Sequence, residues 1–282
     1  MARVTPDQIR QMKVRGERIP MLTAYDYPTA HILDAAGVPM LLVGDTLGMV
    51  VLGHDSTLPV TVDDIIRHTQ AVVRGTQKAL VVADMPFGSF QVSPKETMRA
   101  AIRIMKEAGP QAVKLEGGRR SAASVRALVE AGLPVMGHVG MTPQSVNVFG
   151  GFKVQGKTEA AARVLLDDVA ALEDAGVFAV VLELVPTELS KIVTQRTSVP
   201  TIGIGAGPYC DGQVQVIYDI LGLFPDFTPK HARRYADLGA AMQSAVEEYV
   251  KDVRTQTFPT EQQSVTLDPA VVKALQKQAK GD

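Results

Sequence analysis

Residues 79–116, ALVVADMPFGSFQVSPKETMRAAIRIMKEAGPQAVKLE, decide the fold. Residues 79–83 form a short, near-continuous apolar run. Such a run suits a parallel strand covered on both faces. A helical pattern follows over 93–107, and its start is punctuated. Ser93 stands at the N-cap, Pro94 at the first helical position and Glu96 in the capping-box slot. Gly109 comes just after the helix, where a left-handed residue often closes the last turn. A second apolar run at 111–115 completes a strand–helix–strand unit.

The same rhythm extends both ways. Residues 20–25 (PMLTAY), 39–43 (PMLLV), 134–137 (PVMG), 178–182 (FAVVL), 199–204 (VPTIGI) and 214–221 (VQVIYDIL) bring the candidate strands to eight. Helical windows at 27–36, 61–75, 120–131, 158–174 and 186–196 lie between most of them, with Gly176 closing the fourth and a last helix over 230–253. A seventh helix has little room between residues 205 and 213. Strand and helix alternating eight times predicts an α/β fold, a (β/α)8 TIM barrel, with a doubly wound open sheet as the alternative. Two long Gly-rich connections, 44–60 and 139–157, follow the second and fifth strands. Both would lie on the C-terminal face, where barrel enzymes place their chemistry.

Composition narrows the function. The chain has 282 residues, 46% hydrophobic and 21% charged, enough for a full core without staples. With 29 Lys+Arg against 30 Asp+Glu the net charge is −1, which argues against nucleic acid as a partner. The one cysteine, Cys210, excludes an intramolecular disulfide and a Cys-only zinc site. The N-terminus has no apolar signal region and no run approaches the roughly 20 residues of a membrane span, so no membrane role and a cytoplasmic location are expected.

The functional signal is positional. Asp45, Asp84, Glu116, His138 and Glu183 stand at the ends of five successive strands. In a barrel those ends converge, and side-chain alternation puts Lys114 on the same face as Glu116. One lysine neutralises such a cluster only in part, so the excess negative charge asks for a cation. Asp45, Asp84 and Glu116 offer oxygen alone, which suits Mg²⁺, with Mn²⁺ or Co²⁺ as substitutes. The plainer reading of any one carboxylate is a helix cap or an ion pair; shared position at successive strand ends counts against it. Glu183 sits among apolar neighbours in VVLELVP, which raises its pKa toward neutrality and suits a general base, or it merely starts a helix before Pro186. His138 either binds a substrate carboxylate or is a satisfied core histidine. Gly203-Ile204-Gly205-Ala206-Gly207 is similar to a phosphate-cradling barrel loop but lacks the dinucleotide spacing, and a tight turn that needs small residues is the favoured reading.

The strings TAYDYPTA (23–30), LLVGDTLGMVVLGHDSTLPVT (41–61), VVADMPFGSF (81–90), AVKLEGG (112–118), VMGHVGMTPQSVNVFGGFKVQG (135–156), VVLELVP (180–186) and TIGIGAGPYCDGQVQVIYD (201–219) resemble the ketopantoate hydroxymethyltransferase family, from about residue 5 to about residue 258. The resemblance implies a barrel of the phosphoenolpyruvate-binding superfamily. It also implies transfer of a one-carbon unit from 5,10-methylenetetrahydrofolate to 3-methyl-2-oxobutanoate, giving 2-dehydropantoate on the way to pantothenate. By the same resemblance Asp45, Asp84 and Glu116 hold Mg²⁺, and Asp45, Thr46, Asp84, Lys114 and His138 bind substrate. Glu183 is then the base, and the assembly a homo-oligomer, often a decamer. Thr46 stands where the family commonly has Ser, keeping the hydroxyl, and His231 where it usually has Phe.

Two rivals remain at this stage. Carbon–carbon lyases and phosphonomutases of the same superfamily also act on 2-oxo acids, but the lyases use a cysteine after an early strand and Cys210 lies after the seventh. A non-catalytic keto-acid-binding scaffold would bind without proton exchange. The division expected is one catalytic barrel over 1–258 and an extension over 259–282. In the extension Asp268-Pro269 opens a helix of about ten residues ending near Gly281. Its Val271, Val272 and Leu275 form an apolar stripe, packed on its own barrel or used as an oligomer contact.

Overall fold

A computed structural model describes residues 3–224 and 228–278. Eight parallel strands close a barrel in sequence order: β1 (Ile19–Thr23), β2 (Met40–Val43), β3 (Leu80–Asp84), β4 (Ala112–Glu116), β5 (Val135–Gly140), β6 (Ala179–Glu183), β7 (Thr201–Ile204) and β8 (Gly212–Gln215). In chain order the helices are α1 (Pro6–Val14), α2 (Tyr27–Ala35), α3 (Leu47–Val50), α4 (Val62–Gly75), α5 (Pro94–Ala108), α6 (Ala122–Glu130), α7 (Val146–Phe149), α8 (Glu159–Asp174), α9 (Thr187–Arg196), α10 (Ile217–Leu221), α11 (Leu238–Arg254) and α12 (Pro269–Gln278). The closed barrel rules out the doubly wound alternative.

Alternation sorts each strand between two apolar layers. Met40, Leu42, Leu80, Val82, Ala112, Met136, Ala179 and Val181 fill the barrel interior. Leu41, Val43, Val81, Ala83, Val113, Leu115, Val180 and Leu182 face outward into the helix layer. A strand buried on both faces has no reason to alternate polar with apolar, which is why these runs read as continuous hydrophobic stretches. The inner parity continues upward from Leu80 and Val82 to Asp84, from Ala112 to Lys114 and Glu116, from Met136 to His138, and from Ala179 and Val181 to Glu183. The polar ends of the inner face are therefore stacked above the apolar filling.

Local punctuation agrees with the residues. Ser93 Oγ accepts from Glu96 N at 3.2 Å, and Gly109 takes φ 72° at the end of α5. The Glu96 side chain departs from the capping box: it pairs with Arg99 at 2.5 Å, one turn on. Asp268 does cap α12, accepting from Ala270 N at 2.7 Å.

Four expectations need correction. No helix separates β7 from β8 among the described residues; the chain crosses in a short turn. The apolar window 214–221 is not one strand. Its first residues finish β8 and the rest, from Ile217, fold into α10, because Ile217 N finds an acceptor in Thr23 Oγ1 at 3.0 Å rather than in a neighbouring strand. The last barrel-length helix begins at Leu238 rather than 230. Finally, α1 was not anticipated. Thr5 and Gln8 form its capping box, and Ile9, fully buried, packs with Ile19 in the inner cluster, so α1 plugs the N-terminal end of the barrel.

Among the described residues the C-terminal helices leave much of their apolar surface exposed. Met242, Val246, Tyr249 and Val253 repeat every three or four residues along α11 and remain 45–60% exposed. Val271 and Leu275 of α12 are 44% and 53% exposed, whereas Val272 between them is half-buried. The expected helix end near Gly281 lies outside the described residues. No described helix is long and apolar enough to cross a membrane.

Candidate active site

The upper ends of the strands enclose one small pocket. Its lining includes Asp45, Thr46, Asp84, Lys114, Glu116, His138 and Glu183, so every residue singled out from the sequence meets there. A larger concavity of about 1080 Å³ lies elsewhere. It runs down the flank of the barrel from Gly205 and His231 past Cys210 to Arg18 and Pro20, where a helix between β7 and β8 would otherwise sit. Its lining is mostly apolar and lacks the acidic cluster, which gathers in the smaller pocket.

Strand register sets the spacing. Asp84 stands beside Lys114, Glu116 beside His138, and Glu183 beside Gly140. Lys114 Nζ donates to Asp84 Oδ1 at 2.5 Å, with both side chains buried. Asp45 arrives differently. β2 ends at Val43, the chain turns at Gly44, and Asp45 N then donates to Asp84 Oδ2 at 3.1 Å. Thr46, which lines the pocket, opens the short α3 without capping it through its hydroxyl.

The close approach of β5 to β6 is built on Gly140. A Cβ there would stand 2.2 Å from the Glu183 carbonyl oxygen, and its φ of 94° disfavours any other residue. Directly after Glu183 the chain bends at Leu184, which has φ 47°, uncommon for a residue with a side chain. Two hydrogen bonds hold the bend: Leu184 N donates to Ile204 O and Gln155 N donates to Leu184 O, each at 2.9 Å. Strain of this kind persists only where its surroundings impose it, and here it aims Glu183 over the pocket.

The electrostatics follow from four carboxylates and one ammonium taken out of water. Burial, reinforced by Asp84, pushes the Asp45 carboxyl up to about 7. Burial, with Asp45 adding to it, raises Glu116 well above the usual carboxylate range. Burial also pushes Glu183 up to about 7, against the opposing pull of Lys114 and His231. Burial alone would lower Lys114, but Asp84, Asp45 and Glu116 together outweigh it and keep the lysine charged. His138 is driven well below its ordinary value by burial and by Lys114, so it is a neutral imidazole. Its Nε2 lies 3.3 Å from Glu183 Oε2 and its Nδ1 3.8 Å from Glu116 Oε1. Among the described residues neither ring nitrogen has a hydrogen-bond partner, unlike a satisfied core histidine.

The donor set fits a hard divalent cation. Asp45, Asp84 and Glu116 present oxygens only, and once all three are ionised, as a bound cation would favour, their charge exceeds what Lys114 neutralises. Among the described residues no three acidic, histidine or cysteine side chains already gather ligand atoms about one point. Lys114 lies against Asp84 instead, so the carboxylates would turn to meet an ion.

One residue of the site was not anticipated. Gln144, in the 139–157 connection, is buried over the pocket; its Nε2 donates to Asp45 Oδ2 at 2.8 Å and its backbone N to Glu116 Oε2 at 3.1 Å. No spacing rule signals it, since a glutamine in an irregular segment has no periodic position to read.

Comparison with known proteins agrees with this picture. The family model for ketopantoate hydroxymethyltransferase matches residues 3–261. A Dehalococcoides mccartyi protein named 3-methyl-2-oxobutanoate hydroxymethyltransferase is 57% identical over 275 residues, 98% of this chain and 98% of that one. A Chloroflexus aurantiacus protein of the same name is 57% identical over 272 residues, 96% of each chain. Among solved structures, 2,3-dimethylmalate lyase, a PEP mutase/isocitrate lyase superfamily member, aligns with TM-score 0.58 at 16% identity over 100% of both chains. Phosphonopyruvate hydrolase in complex with oxalate and Mg²⁺ aligns with TM-score 0.58 at 13% identity over 98% of this chain and 96% of that one. At these identities the structures share the fold. The chain belongs to the ketopantoate hydroxymethyltransferase family.

Proposed function

We propose that this family member transfers a hydroxymethyl group from 5,10-methylenetetrahydrofolate to 3-methyl-2-oxobutanoate, forming 2-dehydropantoate. The observation that carries the reading is the single pocket in which Asp45, Thr46, Asp84, Lys114, Glu116, His138 and Glu183 meet. A lyase reading has no support here, because Cys210, the one cysteine, is buried away from this pocket. A non-catalytic scaffold would have no use for a base tuned near neutrality beside an unpartnered imidazole.

The chain's own residues perform the proton chemistry. Glu183, half ionised near pH 7, removes the C3 proton of the 2-oxo acid. The neutral His138, beside Glu183 at 3.3 Å, offers a ring N–H to a substrate oxygen. Lys114 supplies the one fixed positive charge of the pocket and opposes the negative charge that develops on the substrate. The Thr46 hydroxyl orients the substrate carboxylate. Asp45, Asp84 and Glu116 would hold Mg²⁺, whose chemistry when bound is Lewis-acid polarisation of the 2-oxo group. The C3 carbon that Glu183 has deprotonated bonds to the folate methylene as one of its two C–N bonds breaks; water then displaces the second nitrogen, giving the hydroxymethyl group of the product and tetrahydrofolate.

The remaining assignments rest on the same reading. Residues 1–258 are taken as the catalytic barrel and 259–282 as an extension. The exposed apolar face of α11 supports assembly as a homo-oligomer, with a decamer as the family's common size. A cytoplasmic location suits a pathway enzyme of this kind. The test is two-part: proton NMR exchange at C3 of the keto acid in D₂O with Mg²⁺, then product formation on adding 5,10-methylenetetrahydrofolate. Exchange and folate-dependent 2-dehydropantoate are expected. Binding of the keto acid with neither outcome would overturn the assignment.

A further inference from the structure

Gln144 completes a directional chain of amides over the pocket. Gly88 N donates to Gln91 Oε1 at 2.8 Å, which turns the Gln91 amino group toward Gln144. Gln91 Nε2 donates to Gln144 Oε1 at 3.0 Å. Gln144 Nε2 then donates to Asp45 Oδ2 at 2.8 Å and to Met85 O at 3.0 Å. Both ends of the chain have a fixed sense. A backbone N–H can only donate and a backbone carbonyl can only accept, so neither amide can flip without breaking the chain. The Gln144 backbone N, donating to Glu116 Oε2 at 3.1 Å, ties a second carboxylate to the same residue. One oxygen of Asp45 and one of Glu116 are thus held by the 139–157 connection, and their other oxygens are left for a ligand.

We infer that Gln144 is a positioning residue for the cation: it sets the orientation of Asp45 and Glu116, and Gln91 sets Gln144. This rests on the proposed reading of Asp45, Asp84 and Glu116 as the cation's holders. Partners that orient metal-binding carboxylates act on affinity without touching the ion. A purely structural role, sealing the loop onto the barrel, would change folding stability and leave cation affinity alone.

The experiment measures Mn²⁺ binding to the whole protein without keto acid or folate, by electron paramagnetic resonance of the free ion, alongside thermal unfolding. Gln144→Leu is expected to weaken Mn²⁺ binding about 10–100-fold. Gln91→Ala alters an exposed side chain and spares the buried contacts. It is expected to weaken binding in the same direction by a smaller factor, and it keeps the inference testable if Gln144→Leu fails to fold. Mn²⁺ affinity within twofold of the parent in a folded Gln144→Leu protein overturns the inference and leaves the metal reading intact. With Gln144→Leu unfolded, unaltered affinity in Gln91→Ala overturns it equally. Absence of Mn²⁺ binding in the unsubstituted protein overturns the metal reading and this inference with it.

Discussion

Glu183→Gln is expected to yield a protein that is more stable and inactive at the same time. The substitution keeps the shape and removes both the proposed base and its buried charge. The rise of Glu183 from 4.5 to about 7 is worth about 3 kcal/mol against the ionised form. Between those two values the folded protein keeps a proton that the unfolded chain has released. Stability therefore falls as pH rises through that window and does not return above it. Glutamine escapes this loss. The variant should exceed the parent by about 3 kcal/mol at pH 8 and by almost nothing at pH 4, measured in the metal-free protein by denaturant unfolding. Exchange of the keto-acid C3 proton for deuterium should drop by about 10²–10⁴-fold, the usual contribution of a general base. In the parent, exchange should fall about tenfold for each pH step below 7, because only the ionised fraction of Glu183 acts. Full exchange in Glu183→Gln, or a parent rate that is flat from pH 5 to 8, would refute the assignment of the base. Equal stability of the two proteins at pH 8 would refute the electrostatic reasoning behind it.

Asp84→Ala leaves Lys114 as a buried ammonium without its 2.5 Å partner. A loss of about 3–5 kcal/mol is expected in chemical denaturation, together with a sharply raised Mg²⁺ requirement; an unchanged magnesium titration would remove Asp84 from the cation site. His138→Phe deletes two unpartnered buried nitrogens. It should leave the thermal midpoint at or above the parent's while raising the Michaelis constant for the keto acid about tenfold or more, roughly 1.4 kcal/mol or above in binding; steady-state kinetics decide it. Gly140→Ala brings a methyl within 2.2 Å of the Glu183 carbonyl oxygen. It is expected to cost about 1–3 kcal/mol in unfolding and at least tenfold in exchange rate, since β5 must shift away from β6; wild-type values for both would show that the approach has slack.

Much of the barrel was legible because its signals are local. The inner and outer layers of β3 and β6 are both apolar below their last residue, so LVVA and AVVL announce strands without any knowledge of their neighbours. The failures share one cause. The window 214–221 is as apolar as the true strands, and only the contact between Ile217 N and Thr23 Oγ1, 194 residues away in the chain, ends β8 and starts α10. α1 carries little local signal, because among its described residues Ile9 alone is fully buried, set into the barrel floor with Met12 partly buried beside it. Propensity and periodicity describe a segment, whereas these boundaries depend on what the segment meets.

The site divides along the same line. From the order of residues alone came the acidic strand ends, the shared face of Lys114 and Glu116, and a carboxylate among apolar neighbours in VVLELVP, because alternation along a strand is a property of the backbone and needs no partner. Only the closed barrel determined that Lys114 pairs with Asp84, that His138 lies between Glu116 and Glu183, and that Asp45 enters through a turn rather than by strand parity. Gln144 belongs wholly to the second kind. Its importance consists of hydrogen bonds to side chains 28 and 99 residues distant in the chain. The physical reason is range: backbone sterics act between neighbours and are written in sequence, whereas charge and hydrogen bonding act through space, between groups that folding alone brings together.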